Sequence, residues 1–407
     1  MKTLQALATT ICQTLFDKGY TAYFAGGWVR DLLLKKPTDE IDIATSAPPK
    51  VVQELFEKTI PVGVAFGVII VVLEGINFEV TTFRKDHPYL DGRHPDGVDF
   101  STPEKDAERR DFTINGMFYD PLPSTGYDYV GGQEDFQKRI IRALGTPAKR
   151  FTEDRLRMIR AVRFAARFGF RIEEQTIEAI ATYASTLFPS VSMERIWQEF
   201  CKMAAYPHFD QAIIMLHRFG LLAVIFPQLN NVPLKTIEQY VSAFVYFPIN
   251  SPTIVFLLEL FPNLSLDERL GLCNYLKTTG KDRKLVEFFF SSTQLLKSPK
   301  PEPYEWAYFY AHSLSELFLS VQAAKLLPPI RYEFIQEHET GQKKLNQHIE
   351  RIRKRRPLVT AAHLQKKGIP PGKRLGELLR EAEKIAINQD LSDPNLVMTF
   401  LTDIEQS

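Results

Sequence analysis

Two carboxylates, Glu40 and Asp42, stand two residues apart in the otherwise apolar stretch EIDIATS. In a β-strand this spacing directs both side chains to the same face of the sheet, where like charges repel each other. Unless unidentified partners pair with them, their burial would destabilise the fold by roughly several kcal/mol each. A bound Mg²⁺ ion removes this conflict, because hard divalent cations take carboxylate oxygens together with phosphate oxygens. We therefore predict that Glu40 and Asp42 are metal ligands.

Glu79, in the later stretch NFEVTTFR, is a third carboxylate that could reach the same site. Phosphoryl transfer with two metal ions often uses an acidic group near the attacking hydroxyl. A structural hydrogen bond explains Glu79 equally well, and the sequence leaves both roles open.

Gly26 and Gly27 precede the carboxylates, at a predicted turn from a strand into a helix. Two glycines let the backbone approach a ligand closely, and the helix start directs free N–H groups and its positive dipole end toward that ligand. Arg30 lies about one helical turn further on and can face the same anion. The pattern favours a phosphate group, although most turns with two glycines are simply turns.

An arginine-rich motif, ERRDFTING, spans residues 108–116. Guanidinium groups match phosphate oxygens in bidentate geometry, so Arg109 and Arg110 could clamp a triphosphate. The same residues could instead be the solvated start of a helix.

The helix predicted over TEDRLRMIRAVRFAARFGF carries Arg157, Arg160 and Arg163 at intervals of three residues, with Asp154 one turn before them. Arginines at this spacing drift slowly around the helix and rarely pack into an apolar core. We therefore expect them to border solvent or to meet an anion.

Asp154 and Arg157 together could recognise the edge of a nucleobase, because a carboxylate accepts hydrogen bonds and a guanidinium only donates them. Cytosine and adenine each present an amine donor beside a ring-nitrogen acceptor, which matches this pair. Uracil and guanine present a carbonyl beside an N–H and would leave buried groups unpaired. The pair would therefore select C and A without a nucleic-acid template.

These residues are distributed over two kinds of predicted structure. Residues 1 to about 140 alternate short β-rich runs with helices, including a hairpin that turns near Glu74 and Gly75. From about residue 150 onward, strand patterns disappear and amphipathic helices follow one another. We predict an α+β protein, with a mixed-sheet head (1–145) and an all-helical neck, body and tail (146–225, 226–340 and 341–407).

With 407 residues and an apolar fraction of 44%, the chain can hold two to four domains with sizeable cores. It has no apolar run of the roughly 20 residues that a membrane span needs, and its N-terminus lacks a signal-peptide cleavage pattern. Its three cysteines lie far apart without a CxxC pair, which argues against disulfides and a zinc site. We therefore expect a cytoplasmic protein that does not bind membranes.

The net charge of +1 conceals a basic segment near the C-terminus. Residues 343–380 contain twelve lysines and arginines but only two glutamates. Such a segment is either a solvated surface or a contact surface for a nucleic-acid backbone.

Four ordered motifs resemble those of class II tRNA nucleotidyltransferases, the CCA-adding enzymes, and of the similar bacterial poly(A) polymerases. The motifs are GGWVRDLLL with EIDIATSA, ERRDFTING, FTEDRLRMIRAVRFAARFGF and SMERIWQE. Both groups belong to the DNA polymerase β-like nucleotidyltransferase superfamily, and the similarity extends to GIPPGKRLGELLREAEKIAINQDLSD near the C-terminus. The resemblance implies addition of CCA to the 3′ end of tRNA from CTP and ATP, with Mg²⁺ as cofactor and no obligate protein partner.

The resemblance also implies roles for individual residues. Glu40 and Asp42 would be catalytic and would hold Mg²⁺, and the basic segment 343–380 would contact tRNA. The nucleotide would be bound by seven residues: Gly27, Arg30, Arg110, Asp154, Arg157, Arg160 and Arg163. Two positions depart from the family pattern. Glu40 replaces the usual aspartate and reaches one methylene further, and Gly116 replaces a small residue such as alanine, which we expect to be harmless.

Residues 84–98, RKDHPYLDGRHPDGV, resemble the flexible loop that CCA-adding enzymes need when they switch from CTP to ATP. This favours CCA addition over a CC-only enzyme, although an ordinary polar hairpin loop would also explain the segment. A poly(A) polymerase or an A-only adding enzyme is the alternative within the family. An RNA-binding module with an inactive head is the alternative outside it, and the intact Glu40, Asp42 and Arg110 argue against that.

Overall fold

The computed structural model describes residues 3–35, 38, 40–89 and 95–406, with side chains up to residue 401. The chain forms two compact units, Met1–Gln239 and Tyr240–Ser407. All strands of the described residues lie in the first unit, and the second unit consists of helices and their connections. The predicted α+β class is confirmed, and the finer division into head, neck, body and tail stays a prediction.

The head contains a seven-stranded sheet in the order β3-β4-β5-β2-β1-β8-β9. Within this sheet β2 is parallel to β5, and the other neighbouring strands are antiparallel. Two small sheets pair β6 with β7 and β10 with β11. The strands are β1 (Ala22–Ala25), β2 (Asp42–Thr45), β3 (Thr59–Gly63), β4 (Val68–Leu73), β5 (Ile76–Thr82), β6 (Arg84–Asp86), β7 (Val98–Phe100), β8 (Met117–Asp120), β9 (Thr125–Asp128), β10 (Ile140–Ile141) and β11 (Arg171–Ile172).

Helices make up the rest of both units. The first twelve are α1 (Leu4–Phe16), α2 (Gly27–Leu33), α3 (Pro49–Leu55), α4 (Pro103–Glu108), α5 (Gly132–Gln137), α6 (Pro147–Glu153), α7 (Leu156–Phe168), α8 (Glu174–Tyr183), α9 (Met193–Ala204), α10 (Phe209–Arg218), α11 (Leu221–Ile225) and α12 (Leu234–Val241). The others are α13 (Thr253–Leu258), α14 (Leu266–Tyr275), α15 (Gly280–Lys297), α16 (Pro303–Ala311), α17 (Ser315–Ala324), α18 (Pro328–Lys344), α19 (Asn346–Arg353), α20 (Ala361–Lys366), α21 (Lys373–Asn388) and α22 (Pro394–Gln406). None of the helices in the described part of the chain is long and apolar enough to cross a membrane.

The predicted hairpin is formed by β4 and β5. Leu73 pairs with Ile76, so Glu74 and Gly75 form a two-residue turn, and both have positive φ angles, 50° and 79°. Such a turn matches the right-handed twist of the strands it joins. Alternating side chains of β5 are buried, which directs Glu79 to the opposite side from Phe78.

The two faces of the head sheet have different neighbours. Apolar side chains of α1 and α3, including Leu7, Ile11 and Val52, form the core on one face. Tyr23, Ala44 and Phe118 belong to a second cluster on the other face. Asp42 is two residues before Ala44 and therefore lies on this second face.

The segment 84–98 starts and ends as a short antiparallel ribbon of β6 and β7. Residues 90–94 of the predicted flexible loop lie outside the described residues. The predicted resemblance of this segment to the family loop stays a prediction.

Helix α7 is the central helix of the part that follows the sheet. It begins at Leu156, directly after Asp154 and Arg155, and ends at Phe168. The next residue, Gly169, has a positive φ angle of 66°, which favours glycine. Ten of its thirteen residues are buried, among them two of the arginines. The strand β11, which follows α7, was not predicted, because two residues are too few to show a strand pattern.

Candidate active site

The three acidic residues lie at one end of two neighbouring strands. The register of β2 with β5 places Asp42 beside Glu79, and Glu40 comes two residues before Asp42. Ile41, between the two carboxylates, is buried, as the alternation of an extended chain requires. Glu40, Asp42 and Glu79 all line one cavity of about 660 Å³.

Burial and a neighbouring negative charge both disfavour the ionised form of Asp42. Its pKa is raised to about 6, first because the surrounding protein removes water from the carboxylate and second because of the charge of Glu79. Arg110 opposes this shift. Part of the Asp42 surface is still open to solvent, because the side chain lies in a concave site rather than inside the core. A cation beside Asp42 would relieve the repulsion.

The donor set fits a hard divalent cation. The described residues contain no group of three or more histidine, cysteine or acidic side chains close enough to form a complete metal site. Mg²⁺ does not need one, since it typically takes one or two carboxylates together with water and substrate phosphates. Glu40 and Asp42 are the predicted ligands that the structure brings into the same cavity.

The glycine turn lies against the charged groups of the cavity. Gly26 has φ 62° and ψ −117°, a conformation that side-chain-bearing residues rarely adopt. A Cβ atom at this position would lie 3.4 Å from Nη1 of Arg110 and 3.7 Å from Oδ2 of Asp42. Gly27 begins α2, and a Cβ atom there would lie 3.5 Å from Nη2 of Arg30. The backbone at this turn can therefore approach a ligand that also contacts both arginines.

Arg30 is a buried cation whose hydrogen-bond partner carries no charge. Its Nη1 donates to Oδ1 of Asn115, and its guanidinium lies 5.0 Å from the ring centre of Phe164 and 5.6 Å from that of Phe168. Its Nε is buried without a hydrogen-bond partner. Burial lowers the pKa of Arg30 to about 10, and the nearby Arg167 contributes to this decrease. This arrangement favours binding of an anion.

Arg109 and Arg110 share the buried carboxylate of Asp106. Arg109 donates to Oδ1 at 2.8 Å, and Nη2 of Arg110 donates to Oδ2 at 3.0 Å. Arg110 also donates to the backbone oxygen of Asn115 at 3.1 Å and lies over the ring of Phe118. Both arginines are half-buried and line the cavity, which does not fit the interpretation of this motif as a solvated helix start.

Asp154 and Arg157 line the same cavity, but each has another partner. Oδ2 of Asp154 accepts from Nη2 of Arg195 at 2.8 Å, and Oδ1 accepts from the backbone N–H of Leu156 at 3.0 Å. Arg157 donates from Nη1 to Oε2 of Glu153 at 2.6 Å. These bonds hold the acceptor, just before α7, and the donor, in its first turn, in defined orientations.

Arg160 and Arg163 each meet a carboxylate. Nη2 of Arg160 lies 2.5 Å from Oδ2 of Asp111, and Nε of Arg163 donates to Oε2 of Glu199 at 2.5 Å. Arg163 is only 6% exposed but lines the cavity, and the expectation that these arginines border solvent or meet an anion stays a prediction. A guanidinium can be buried here because Glu199 neutralises it.

Comparisons with known proteins agree with this geometry. A family model described as the poly(A) polymerase head domain matches residues 22–142, and one described as the probable RNA and SrmB-binding site of polymerase A matches residues 169–232. The CCA-adding enzyme of Lactobacillus johnsonii is 32% identical over 408 residues, covering 96% of this chain and 95% of that enzyme. The chain belongs to the family of CCA-adding enzymes and bacterial poly(A) polymerases.

Two other CCA-adding enzymes are also similar to this chain over nearly its full length. The CCA-adding enzyme of Lactobacillus helveticus is 33% identical, over 98% of this chain and 97% of its own length. The crystal structure of the Bacillus stearothermophilus CCA-adding enzyme in complex with CTP matches with a TM-score of 0.80 and 30% identity, covering all of both chains. The family resemblance predicted from the motifs is confirmed.

The two departures from the family pattern have different structural settings. Glu40 is exposed just before β2, so its extra methylene has room in the cavity. Gly116 is packed tightly, because a Cβ atom there would lie 2.6 Å from Cγ2 of Val130. Val130 therefore fills the space that the methyl group of an alanine would occupy. The expectation that glycine is harmless at this position stays a prediction.

Several polar residues of the site were not singled out from the sequence, among them the three residues Asp111, Asn115 and Arg195. All three line the cavity. Asp111 and Asn115 belong to ERRDFTING and Arg195 to SMERIWQE, so the family motifs contained them. Each of them bonds to a residue that is 41 or more positions away in the chain. The pairs are Arg160–Asp111, Arg30–Asn115 and Arg195–Asp154.

Proposed function

We propose that this chain adds CMP, CMP and AMP in turn to the 3′ end of tRNA, using CTP and ATP and releasing pyrophosphate. The observation that carries the proposal is one cavity that unites three carboxylates, buried arginines and the residues Asp154 and Arg157. This cavity lies in a chain whose relatives are named CCA-adding enzymes. Each group of residues meets a separate requirement of nucleotide transfer.

Glu40 and Asp42 hold Mg²⁺ in this proposal. Mg²⁺ bound there would lower the pKa of the primer 3′-hydroxyl and neutralise charge on the leaving pyrophosphate. The protein must align this hydroxyl with the α-phosphate, since correct orientation alone lowers the barrier substantially. The glycine turn beside Asp42 provides the backbone surface for that alignment, with Gly27 at the start of α2.

Four arginines of the cavity bind the triphosphate: Arg30, Arg110, Arg160 and Arg163. Guanidinium groups bind phosphate oxygens with charge-assisted hydrogen bonds, which are about twice as strong as neutral ones. Arg30 contributes most to this attraction, because its buried charge has only the amide of Asn115 as a hydrogen-bond partner. The arginines also fix the position of the triphosphate relative to the carboxylates on β2.

Asp154 and Arg157 read the base. Oxygen lone pairs of Asp154 remain available after its bonds to Arg195 and Leu156, since a carboxylate offers about four acceptor sites. Asp154 accepts from the exocyclic amine of cytosine or adenine, and Arg157 donates to the neighbouring ring nitrogen. Uracil or guanine would place an acceptor against Asp154 and a donor against Arg157, which leaves desolvated groups unpaired.

Asp42→Asn is expected to stabilise the metal-free protein at pH 8 by about 1 kcal/mol, allowing for solvent screening of this accessible group. The pKa of Asp42 is about 6 in the folded protein against an ordinary value of 3.8, so folding favours the protonated form. The ionised carboxylate therefore destabilises the fold above pH 6, and this penalty disappears as the pH falls toward 4. Thermal unfolding in EDTA at pH 8 and pH 4.5 measures the difference.

Mg²⁺ provides the control for this stability change. Added Mg²⁺ should raise the unfolding temperature of the unchanged protein more than that of Asp42→Asn, because the variant has lost a charged ligand. An Asp42→Asn protein that is less stable than the unchanged protein at pH 8 in EDTA would contradict the account of Asp42.

The basic segment 343–380 contacts tRNA in this proposal. Lys354, Arg355 and Arg356 follow α19 and are all exposed. Replacing all three residues with glutamate should weaken tRNA binding. It should also reduce the slope of log Kd against log salt by about two to three, because each phosphate contact contributes up to ~0.9 to this slope. Filter binding between 50 and 300 mM salt measures this slope.

A matched variant reverses three exposed lysines of the same unit that lie outside the basic segment: Lys281, Lys284 and Lys300. It changes the net charge equally and should leave the salt slope close to that of the unchanged protein. The same slope in both triple variants would mean that the basic segment is a solvated surface.

Three tRNA transcripts test the proposed function, ending before CCA, after the first C, and after CC. Each is incubated with one nucleotide at a time. The proposal predicts use of CTP on the first two and of ATP on the third. Long tails of repeated A on any RNA would instead mean a poly(A) polymerase. Addition of A to the third transcript, without any addition of C to the first two, would mean an A-only enzyme. No addition at all would support an RNA-binding module.

A further inference from the structure

Asn115 lies where several parts of the nucleotide site meet, and it is 6% exposed. Its side-chain oxygen accepts a hydrogen bond from Nη1 of Arg30. Its amide nitrogen donates to Oδ1 of Asp111 at 2.6 Å, and its backbone oxygen accepts from Nη1 of Arg110 at 3.1 Å. One uncharged residue thus contacts a guanidinium of α2 and two charged residues of the ERRDFTING motif.

The partners of Asn115 determine how its amide is oriented. The guanidinium of Arg30 can only donate, and an ionised carboxylate at Asp111 can only accept. Burial alone would raise the pKa of Asp111, but the charge of Arg160 and the hydrogen bond from Asn115 outweigh it and lower this pKa. Turning the amide by 180° would oppose donor to donor and acceptor to acceptor. Asparagine satisfies both partners, whereas aspartate, which has the same shape, cannot.

The connection continues from Asp111 to helix α7. Oδ2 of Asp111 accepts from Nε of Arg160 at 2.7 Å. A continuous path of hydrogen bonds therefore leads from Arg30 on α2, through Asn115 and Asp111, to Arg160 on the helix that begins beside Asp154. This path links the residues proposed to bind phosphate with the helix proposed to read the base.

We propose that Asn115 is a positioning residue that holds Arg30 in the nucleotide site without neutralising its charge. The inference rests on the proposed function, because it takes Arg30 to be a ligand of the triphosphate. Arg30 forms no ion pair within 4 Å among the residues for which side chains are described, so its positive charge is left for phosphate oxygens. A carboxylate in place of the amide would pair with Arg30 and compete with the substrate.

Asn115→Asp tests this role, because it keeps the shape of the side chain and adds one negative charge. We expect the affinity for CTP in Mg²⁺ to fall about tenfold or more, and the affinity for cytidine, which has no phosphate, to fall less than about threefold. Titration calorimetry measures CTP binding, and competition with a fluorescent CTP analogue measures cytidine binding. A role in folding alone would affect both ligands equally.

Asn230→Asp is the matched control. Asn230 is exposed in the same unit and does not line the cavity, so the same added charge should leave both affinities unchanged. Equal losses for CTP and cytidine in Asn115→Asp, or no loss of CTP affinity, would overturn the proposal.

Asn115→Ser is the second variant, for the case that Asn115→Asp does not show cooperative thermal unfolding. Serine is neutral but too short to reach Arg30 and Asp111 together, so CTP affinity should fall by about threefold to tenfold. A CTP affinity equal to that of the unchanged protein would overturn the positioning role. Addition to tRNA by the unchanged protein is measured in parallel, because a protein that binds CTP but extends no tRNA contradicts the proposed function alone.

Discussion

Asp42→Ala is expected to abolish nucleotide addition at every Mg²⁺ concentration, by more than about a thousandfold, while tRNA binding survives. Asp42 lies beside Glu79, and its pKa is raised first by burial and second by the charge of Glu79, so a cation bound there would be stabilised by the ionised carboxylates. In the proposed function, alanine at this position removes one of the two charged ligands of Mg²⁺. Extension of a labelled transcript across a Mg²⁺ titration measures the loss, and filter binding measures tRNA affinity.

Two further variants make this result specific. Glu40→Asp restores the residue that the family usually has and keeps the charge, so it should retain addition within about tenfold of the unchanged protein. Asp17→Ala removes an exposed aspartate of the same unit, outside the cavity, and should change nothing. An Asp42→Ala protein whose activity is recovered by more Mg²⁺ would contradict the assignment of Asp42 as a metal ligand.

Asp154→Ala is expected to relax the selection of C and A more than it lowers total incorporation. Asp154 is the acceptor for the exocyclic amine in this account, and loss of one such buried hydrogen bond corresponds to a change of about tenfold to a hundredfold in discrimination. The ratio of kcat/KM for CTP to that for UTP on a transcript lacking CCA measures the preference. An unchanged preference over U and G would contradict the base-reading role of Asp154.

Arg195 offers an independent test of the base-reading role of Asp154, because it orients the Asp154 carboxylate. It is the side chain that donates to Oδ2 of Asp154, at 2.8 Å. Arg195→Met keeps much of the side-chain length but removes this bond, so it should move the CTP-to-UTP ratio in the same direction as Asp154→Ala, by a smaller factor. Arg195→Lys, which can still donate one hydrogen bond, should recover part of the preference.

Local patterns were sufficient to predict most of the fold. The hairpin at Glu74 and Gly75 follows from its turn residues, and the helices after residue 150 follow from their apolar periodicity. The alternation of an extended chain predicted that Glu40 and Asp42 share a face, and the burial of Ile41 between them agrees with this prediction. These features depend on residues close together in the sequence, which is why the sequence alone reveals them.

The partners within the site could not be predicted in this way. Glu79 comes beside Asp42 only because β2 pairs in parallel with β5, a choice that depends on the packing of the entire sheet. The bond from Arg195 to Asp154 spans 41 residues, and the bond from Arg30 to Asn115 spans 85. Asp154 and Arg157 were predicted to read a base together, but the sequence did not predict that Arg195 and Glu153 hold their side chains.

In the proposed function, one cavity adds C, C and A in this order without a template. Sequencing of the 3′ ends formed on a tRNA transcript lacking CCA, in the presence of all four nucleotides and Mg²⁺, tests it most directly. We expect nearly all extended molecules to end in CCA and growth then to stop. Frequent U or G, ends that stop at CC, or tails of repeated A would contradict it.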